Sequence, residues 1–211
     1  MLPFNLTKMK VTTDSNLKKV LCVSLFTLAL SACSDNDSKQ VLPTPTPPAP
    51  MEYSYTVTVT NLTYDQPLSP VAVLLHDDEK LWSTGEPASV ALEKLAEGGD
   101  NSDFIALDSS LAAMSSDDAV GPGSSASISI STTDDSATFL TVATMLVNTN
   151  DAFTGLTGID ISSMAVNDNL SLNLNVYDSG TEANTEQCSD IPGPPCLPGS
   201  NEQVEDGAEG F

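Results

Sequence analysis

The strongest constraint on the fold is a two-residue alternation of side-chain type that recurs along the chain. It appears in residues 53–61 (YSYTVTVTN), 125–132 (SASISIST) and 172–177 (LNLNVY). Alternation with this period is typical of a strand with one buried face. Residues 137–147 (ATFLTVATMLV) are almost continuously apolar, which favours a central strand covered on both faces. With a further short strand at 71–75, the pattern predicts an all-β fold, an antiparallel β-sandwich.

One helix is predicted beside these strands, over residues 86–99. Pro87 suits the first helical position, and Gly98-Gly99 would end the helix. Its apolar face is Ala88, Ala91, Leu92, Leu95 and Ala96. We expect that face to pack on the sheet. Phe104, Ile105 and Leu107 suggest a short strand, residues 148–158 a loop that holds Asp151, and residues 166–177 the last clear strand.

The first 32 residues have the composition of a secretory signal peptide, which takes no part in a fold. Lysines precede an apolar run of eleven residues (20–30), and Leu30-Ser31-Ala32-Cys33 follows. That tetrapeptide resembles a bacterial lipobox, which would imply cleavage before Cys33 and lipid attachment to it; a structural cysteine is the alternative. Ser34 is not the aspartate that resembles an inner-membrane retention signal. The expected location is therefore the outer membrane or cell surface, with a lipid anchor.

Residues 33–52 are predicted to be a linker between this anchor and the globular part. Residues 41–50 read VLPTPTPPAP. Prolines cannot donate to a ladder or continue a helix, so the segment should be an extended tether. The predicted globular domain then covers residues 53–187.

The cysteines predict one disulfide bond in the region after that domain, residues 188–211. Cys22 would leave with the leader and Cys33 would be acylated, so that Cys188 and Cys196 remain. In an oxidising compartment this pair favours a small disulfide loop, followed by an acidic tail. A metal site is the rival interpretation, but no further cysteine or nearby histidine completes four ligands.

The charge of the chain excludes nucleic acid as a partner. The formal net charge is −22, and arginine is absent. Loss of residues 1–32 would leave three lysines against 28 acidic residues. Such a surface repels polyanions and attracts cations, although a generic acidic surface is the simpler interpretation.

Two carboxylates at the end of the last strand are candidates for binding a hard cation. Asp178 and Glu182 flank Ser179-Gly180-Thr181, where the glycine allows the backbone to turn and aim both side chains at one point. A solvated turn is the alternative in a chain with 29 acidic residues. His76, the one histidine, has no partner nucleophile and is interpreted as a strand-end residue.

Four segments together resemble the spondin N-terminal domain family in its bacterial lipoprotein form. They are residues 55–61 (YTVTVTN), 85–100 (GEPASVALEKLAEGGD), 146–158 (LVNTNDAFTGLTG) and 177–186 (YDSGTEANTE). They occur in the family's order, and the resemblance extends over residues 53 to 211. Members of that family usually continue past an acidic, glycine-rich stretch into a further strand.

The resemblance implies an antiparallel β-sandwich that holds a calcium ion with three acidic side chains from two loops. By motif these ligands would be Asp151, Asp178 and Glu182, with Glu182 where some members have Asp. Calcium takes six to eight oxygens, so backbone carbonyls and water would complete the shell.

The function expected from the sequence is a non-catalytic, anchored module for adhesion or partner binding. Its partner would be an unknown extracellular protein or glycan. The alternatives are a carboxylate-dependent enzyme acting on glycans and an architectural subunit of an envelope assembly.

Overall fold

The structure is a computed structural model and describes residues 2–10, 50–185, 187–193 and 196. The described residues from 2 to 10 and from 52 onward belong to one compact unit. Several expectations lie outside the described residues: most of the leader, the lipidated Cys33, most of the linker and the acidic tail from 197 to 211.

Eight strands and two short helices make up the described part of the chain. The strands are β1 (Leu2–Lys10), β2 (Tyr53–Thr60), β3 (Ala72–His76), β4 (Ser110–Ser115), β5 (Ser125–Thr132), β6 (Phe139–Met145), β7 (Ala152–Asp160) and β8 (Asn169–Asp178). The helices are α1 (Val90–Gly98) and α2 (Ser102–Ile105), between β3 and β4.

All eight strands join in one sheet with the order β4-β3-β6-β7-β8-β1-β2-β5. Every pairing of these strands is antiparallel. The two outer strands, β4 and β5, lie against each other, so the sheet is nearly closed. The predicted all-β, antiparallel fold is confirmed.

The apolar face of the sheet encloses the main core. Val57 and Val59 of β2, Val73 of β3, Val142 of β6 and Leu174 of β8 are fully buried there. A second cluster lies between the sheet and α1, where Leu92 and Leu95 pack with Phe104 and Phe153. The prediction that the apolar face of the helix packs on the sheet is confirmed, and the strands it contacts are β6 and β7.

The first strand is an interior strand of the sheet, between β2 and β8. Phe4–Lys10 pair with Tyr53–Val59 of β2, and Leu2–Thr7 pair with Asn169–Leu174 of β8. Phe4 and Leu6 are 0 % exposed and belong to the main core. Residues 1–32 are predicted from their composition to take no part in the fold; for residues 2–10 this prediction is wrong, because they are part of the sheet.

Three local predictions were wrong. The helix begins at Val90 and not near Pro87, because Ser89 is the N-cap and its side chain accepts a hydrogen bond from the Leu92 N–H. Residues 102–105 form α2 and not a strand. Most of the expected loop at 148–158 is strand β7, so only the turn before it, which contains Asp151, is irregular.

No helix in the part of the chain that the structure describes is long and apolar enough to cross a membrane.

Candidate calcium site

The sheet brings the two predicted loops together at one end of β7 and β8. Asp151 directly precedes β7, and Asp178 is the last residue of β8. These strands are paired so that Ala152 lies opposite Asp178. Asp151 and Asp178, which are 27 positions apart in the sequence, therefore lie at the same end of these two strands.

The turn after β8 wraps around the side chain of Asp151. The Oδ2 atom of Asp151 accepts hydrogen bonds from the Ser179 hydroxyl (3.0 Å), the Thr181 N–H (3.0 Å) and the Glu182 N–H (3.2 Å). Its main-chain oxygen accepts a fourth, from the Ser179 N–H at 3.3 Å. The Asp151 side chain is 1 % exposed. The three hydrogen bonds that Ser179, Thr181 and Glu182 donate to this carboxylate all end on Oδ2.

Burial and a neighbouring charge raise the pKa of Asp151 above its ordinary value. Burial is the larger cause, and the Asp178 carboxylate adds to it. The donors from Glu182, Ser179 and Thr181 act in the opposite direction without cancelling these effects. The negative charge of Asp151 is therefore unfavourable in the ion-free protein, and a cation at this position would relieve it.

Asp178 lies at the exposed rim of the same turn. Its Oδ1 accepts from the Gly180 N–H at 2.8 Å and its Oδ2 from the Asn184 side-chain amide at 2.9 Å. Gly180 has φ +69°, the left-handed conformation that favours glycine. The turn predicted from the sequence is thus present, and these contacts hold the Asp178 carboxylate in place.

Glu182 is 8 % exposed and contributes its main-chain N–H to Asp151. The backbone of residues 179–182 therefore brings the three residues predicted as ligands close to one another. Among the described residues, however, no three His, Cys, Asp or Glu side chains are gathered closely enough to hold a metal ion as they stand.

A disulfide loop packs against the turn that carries Asp151. Cys188 and Cys196 are bonded, with their Cα atoms 5.0 Å apart, as the cysteine count predicted. The Asn150 side-chain amide donates to the Ala183 carbonyl at 3.2 Å. Gly193 lies so close to the neighbouring turn that an added Cβ would be 2.5 Å from Val147 Cγ1. The disulfide loop therefore contacts the turn before Asp151 at Gly193, and the Asn150–Ala183 bond joins that turn to the segment after β8.

An aromatic pocket of about 430 Å³ shares one wall with the site. That wall is the segment from Asp178 to Gly180, and Trp82 and Tyr177 line the pocket beside it. The Trp82 ring packs edge-on to Phe153, with 5.4 Å between centroids. Sequence reasoning missed this pocket, because its aromatic residues come from distant segments and no short motif joins them.

His76, the one histidine of the chain, lies away from this site, at the end of β3 as predicted. His76 is fully buried, and its Nε2 lies 2.8 Å from the Thr141 hydroxyl. Burial is the main cause that lowers the pKa of His76 below its ordinary value. The ring is a core group with a hydroxyl partner.

Comparison with known proteins adds nothing to this geometry: no family model matches the chain, and neither does any curated protein.

Proposed function

We propose that this protein is a non-catalytic, calcium-binding β-sandwich module that attaches to a membrane through a lipid on Cys33 and binds a partner outside the cytoplasm. One observation carries the proposal: the turn after β8 closes around the buried Asp151 carboxylate, with Asp178 and Glu182 on the same turn. The resemblance to spondin N-terminal domains supports the same ligand set.

The donor chemistry of these residues fits a hard cation. Asp151, Asp178 and Glu182 offer carboxylate oxygens, and Ser179 and Thr181 offer hydroxyl oxygens beside them. Calcium prefers such oxygens and tolerates irregular geometry. Burial first, and the Asp178 charge in addition, raise the pKa of Asp151. A divalent ion would offset both effects, because it attracts the two carboxylates that otherwise repel each other.

The site also suggests how calcium would influence partner binding. Residues 178–180 belong both to the turn and to the wall of the aromatic pocket. An ion that fixes the turn would therefore fix one side of that pocket. A calcium-dependent adhesion module requires this type of coupling between ion and surface.

The non-catalytic assignment rests on the groups available near the site. The one histidine of the chain is buried in the core and hydrogen-bonded to the Thr141 hydroxyl. Asp178, the most accessible carboxylate of the site, is held by the Gly180 N–H and the Asn184 amide. These contacts suit a fixed ligand better than a group that must exchange protons.

The test is the calcium dependence of thermal unfolding in the wild type and in Asp178→Asn. With a dissociation constant near 1 mM, ten times that concentration of calcium stabilises the fold by about 1.4 kcal/mol. The melting temperature of the wild type should then rise by about 5 °C. Asp178→Asn should lose most of this rise.

Asp160→Asn is the matched control. Asp160 is likewise the last, exposed residue of its strand, and its Oδ1 accepts from the Ser162 N–H at 2.9 Å, but it lies at the far end of β7. The control should keep the full calcium response. An identical melting temperature of the wild type with calcium and with chelator would refute the metal site, and glycan hydrolysis that Asp178→Asn abolishes would favour the enzyme.

A further inference from the structure

The position of β1 has a consequence if residues 1–32 are removed during export. Among the strands that the structure describes, β1 is the one that lies between β2 and β8 and pairs with both. Neighbouring strands are about 4.8 Å apart, so its loss would leave β2 and β8 facing each other across a gap of about 10 Å. The main-chain groups of both strands that now pair with β1 would lose their partners.

The same loss would open the main core. Phe4 and Leu6 are fully buried against the apolar face of the sheet, in the same cluster as Val57, Val59 and Leu174. Asn5, between them, is exposed. The gap therefore combines two strand edges with a cavity for two apolar side chains that are two residues apart.

We propose that the mature chain, residues 33–211, is a strand acceptor: it binds between β2 and β8 an extended segment of another polypeptide, antiparallel to both strands. This proposal rests on the proposed function, in which residues 1–32 are removed and Cys33 carries the lipid. The segment would present large apolar side chains at the positions of Phe4 and Leu6 and a basic residue at that of Lys8. Addition of a strand to exposed sheet edges is an established mode of peptide recognition.

Charge favours a basic donor. The Lys8 ammonium group lies 5.4 Å and 5.5 Å from the ring centroids of Tyr53 and Tyr55, and it donates to the Met164 carbonyl at 2.9 Å. The mature chain itself has three lysines and 28 acidic residues. A donor strand with lysine at this position gains a cation–π contact and a favourable long-range field.

Neither the proline-rich segment before the domain nor the segment after the disulfide loop offers a substitute strand. Residues 43–50 contain five prolines, which have no N–H to donate to a ladder. Residues 197–211 contain Leu197, Val204 and Phe211 as their large apolar residues, each seven positions from the next. Neither segment has two apolar residues at alternate positions.

The test uses the mature chain and a synthetic peptide of residues 2–10 (LPFNLTKMK). Calorimetry should show saturable binding of one peptide per chain. Amide hydrogen exchange should show protection gained along β2 and β8. The Phe4→Ala peptide should bind about 100-fold more weakly, because it leaves a core cavity. The Asn5→Ala peptide is the control and should bind within about threefold of the original.

A second measurement covers the case in which the mature chain does not fold alone. The full chain with a protease site introduced between residues 11 and 49 is cut after folding, which leaves β1 bound as a separate peptide. A labelled copy of residues 2–10 should replace it, whereas the Phe4→Ala copy should not.

Three results would overturn the proposal. The first is a mature chain that binds no peptide while the amides of β2 and β8 are already protected. The second is a cut chain that exchanges no peptide. The third is a protein that retains Met1 when isolated from cells, which would remove the basis for an open gap and leave the calcium response as a separate measurement.

Discussion

The buried carboxylate of Asp151 allows a prediction in which two substitutions at one position have opposite effects. Asp151→Ala removes the acceptor of three donors, the Ser179 hydroxyl and the N–H groups of Thr181 and Glu182. Each buried donor without a partner costs about 1–3 kcal/mol, and the costs are less than additive because water can enter the space. We expect a loss of about 3 kcal/mol.

Asp151→Asn should behave differently in the ion-free protein. The amide keeps an oxygen that can accept from the same donors, but it carries no charge. Because burial is the main cause that raises the pKa of Asp151, folding disfavours the charged carboxylate relative to the unfolded chain. The free energy of unfolding of Asp151→Asn should therefore equal or exceed that of the wild type, while its calcium response should be lost.

The assay is thermal unfolding by circular dichroism at pH 7 in chelator and in calcium. Asp151→Ala should melt about 10 °C below the wild type in chelator. Asp134→Ala is the control, because Asp134 accepts two hydrogen bonds from Ser136 at an exposed position; it should change stability by less than about 0.5 kcal/mol. An Asn variant as unstable as the Ala variant in chelator would refute the reasoning.

Two further predictions follow from the same end of the molecule. Since the folded-state pKa of Asp151 is raised, protons should compete with calcium at a higher pH than for an ordinary aspartate: calcium affinity, measured by calorimetry, should be full above that pKa and fall as the pH drops through it. In chelator the sign reverses, because the folded protein then holds the proton more tightly than the unfolded chain, so this group adds stability as the pH falls toward 3.8. Separately, Gly155→Ala should cost about 2–3 kcal/mol in chemical denaturation, because its Cβ would lie 2.3 Å from the Val142 carbonyl oxygen and 3.0 Å from Trp82. Gly98→Ala, with no heavy atom within 4 Å of the added Cβ, is the matched control and should be neutral or stabilising; an unchanged Gly155→Ala variant would contradict the close packing described for β7.

The strands with clear alternation could be predicted from the sequence. Ser125–Thr132 forms β5 with the bounds that the pattern gave, because its polar and apolar residues separate cleanly onto two faces. The continuous apolar run at 137–147 contains β6, which is buried along nearly its whole length. In these segments the local pattern and the tertiary environment demand the same structure.

Other elements depended on contacts that a local pattern does not contain. Phe104 lies in a short apolar segment typical of a strand. The single turn of α2 is nevertheless enough to bury its side chain against α1. β7 contains Gly155, which weakens a strand pattern, yet the glycine is needed because the Val142 carbonyl oxygen and the Trp82 ring leave no room for a Cβ. β1 could not be expected, because lysines before an apolar run are typical of a leader.

For the candidate site, sequence reasoning located the acidic residues but not their environment. Asp178 and its glycine turn follow from local chemistry, and the structure contains that turn. The burial of Asp151 depends on the pairing of β7 with β8 and on three donors from one turn. Such an arrangement depends on sheet register, which one sequence specifies only through the complete fold.

The single tryptophan of the chain gives the molecule an internal optical reporter. Trp82 contacts Phe153 and Tyr177 and shares its pocket with the segment from Asp178 to Gly180. Its emission spectrum should therefore respond to events at this end of the sheet without any added dye. With no second indole to obscure the signal, ion binding and ligand entry could be followed in real time on the unmodified protein.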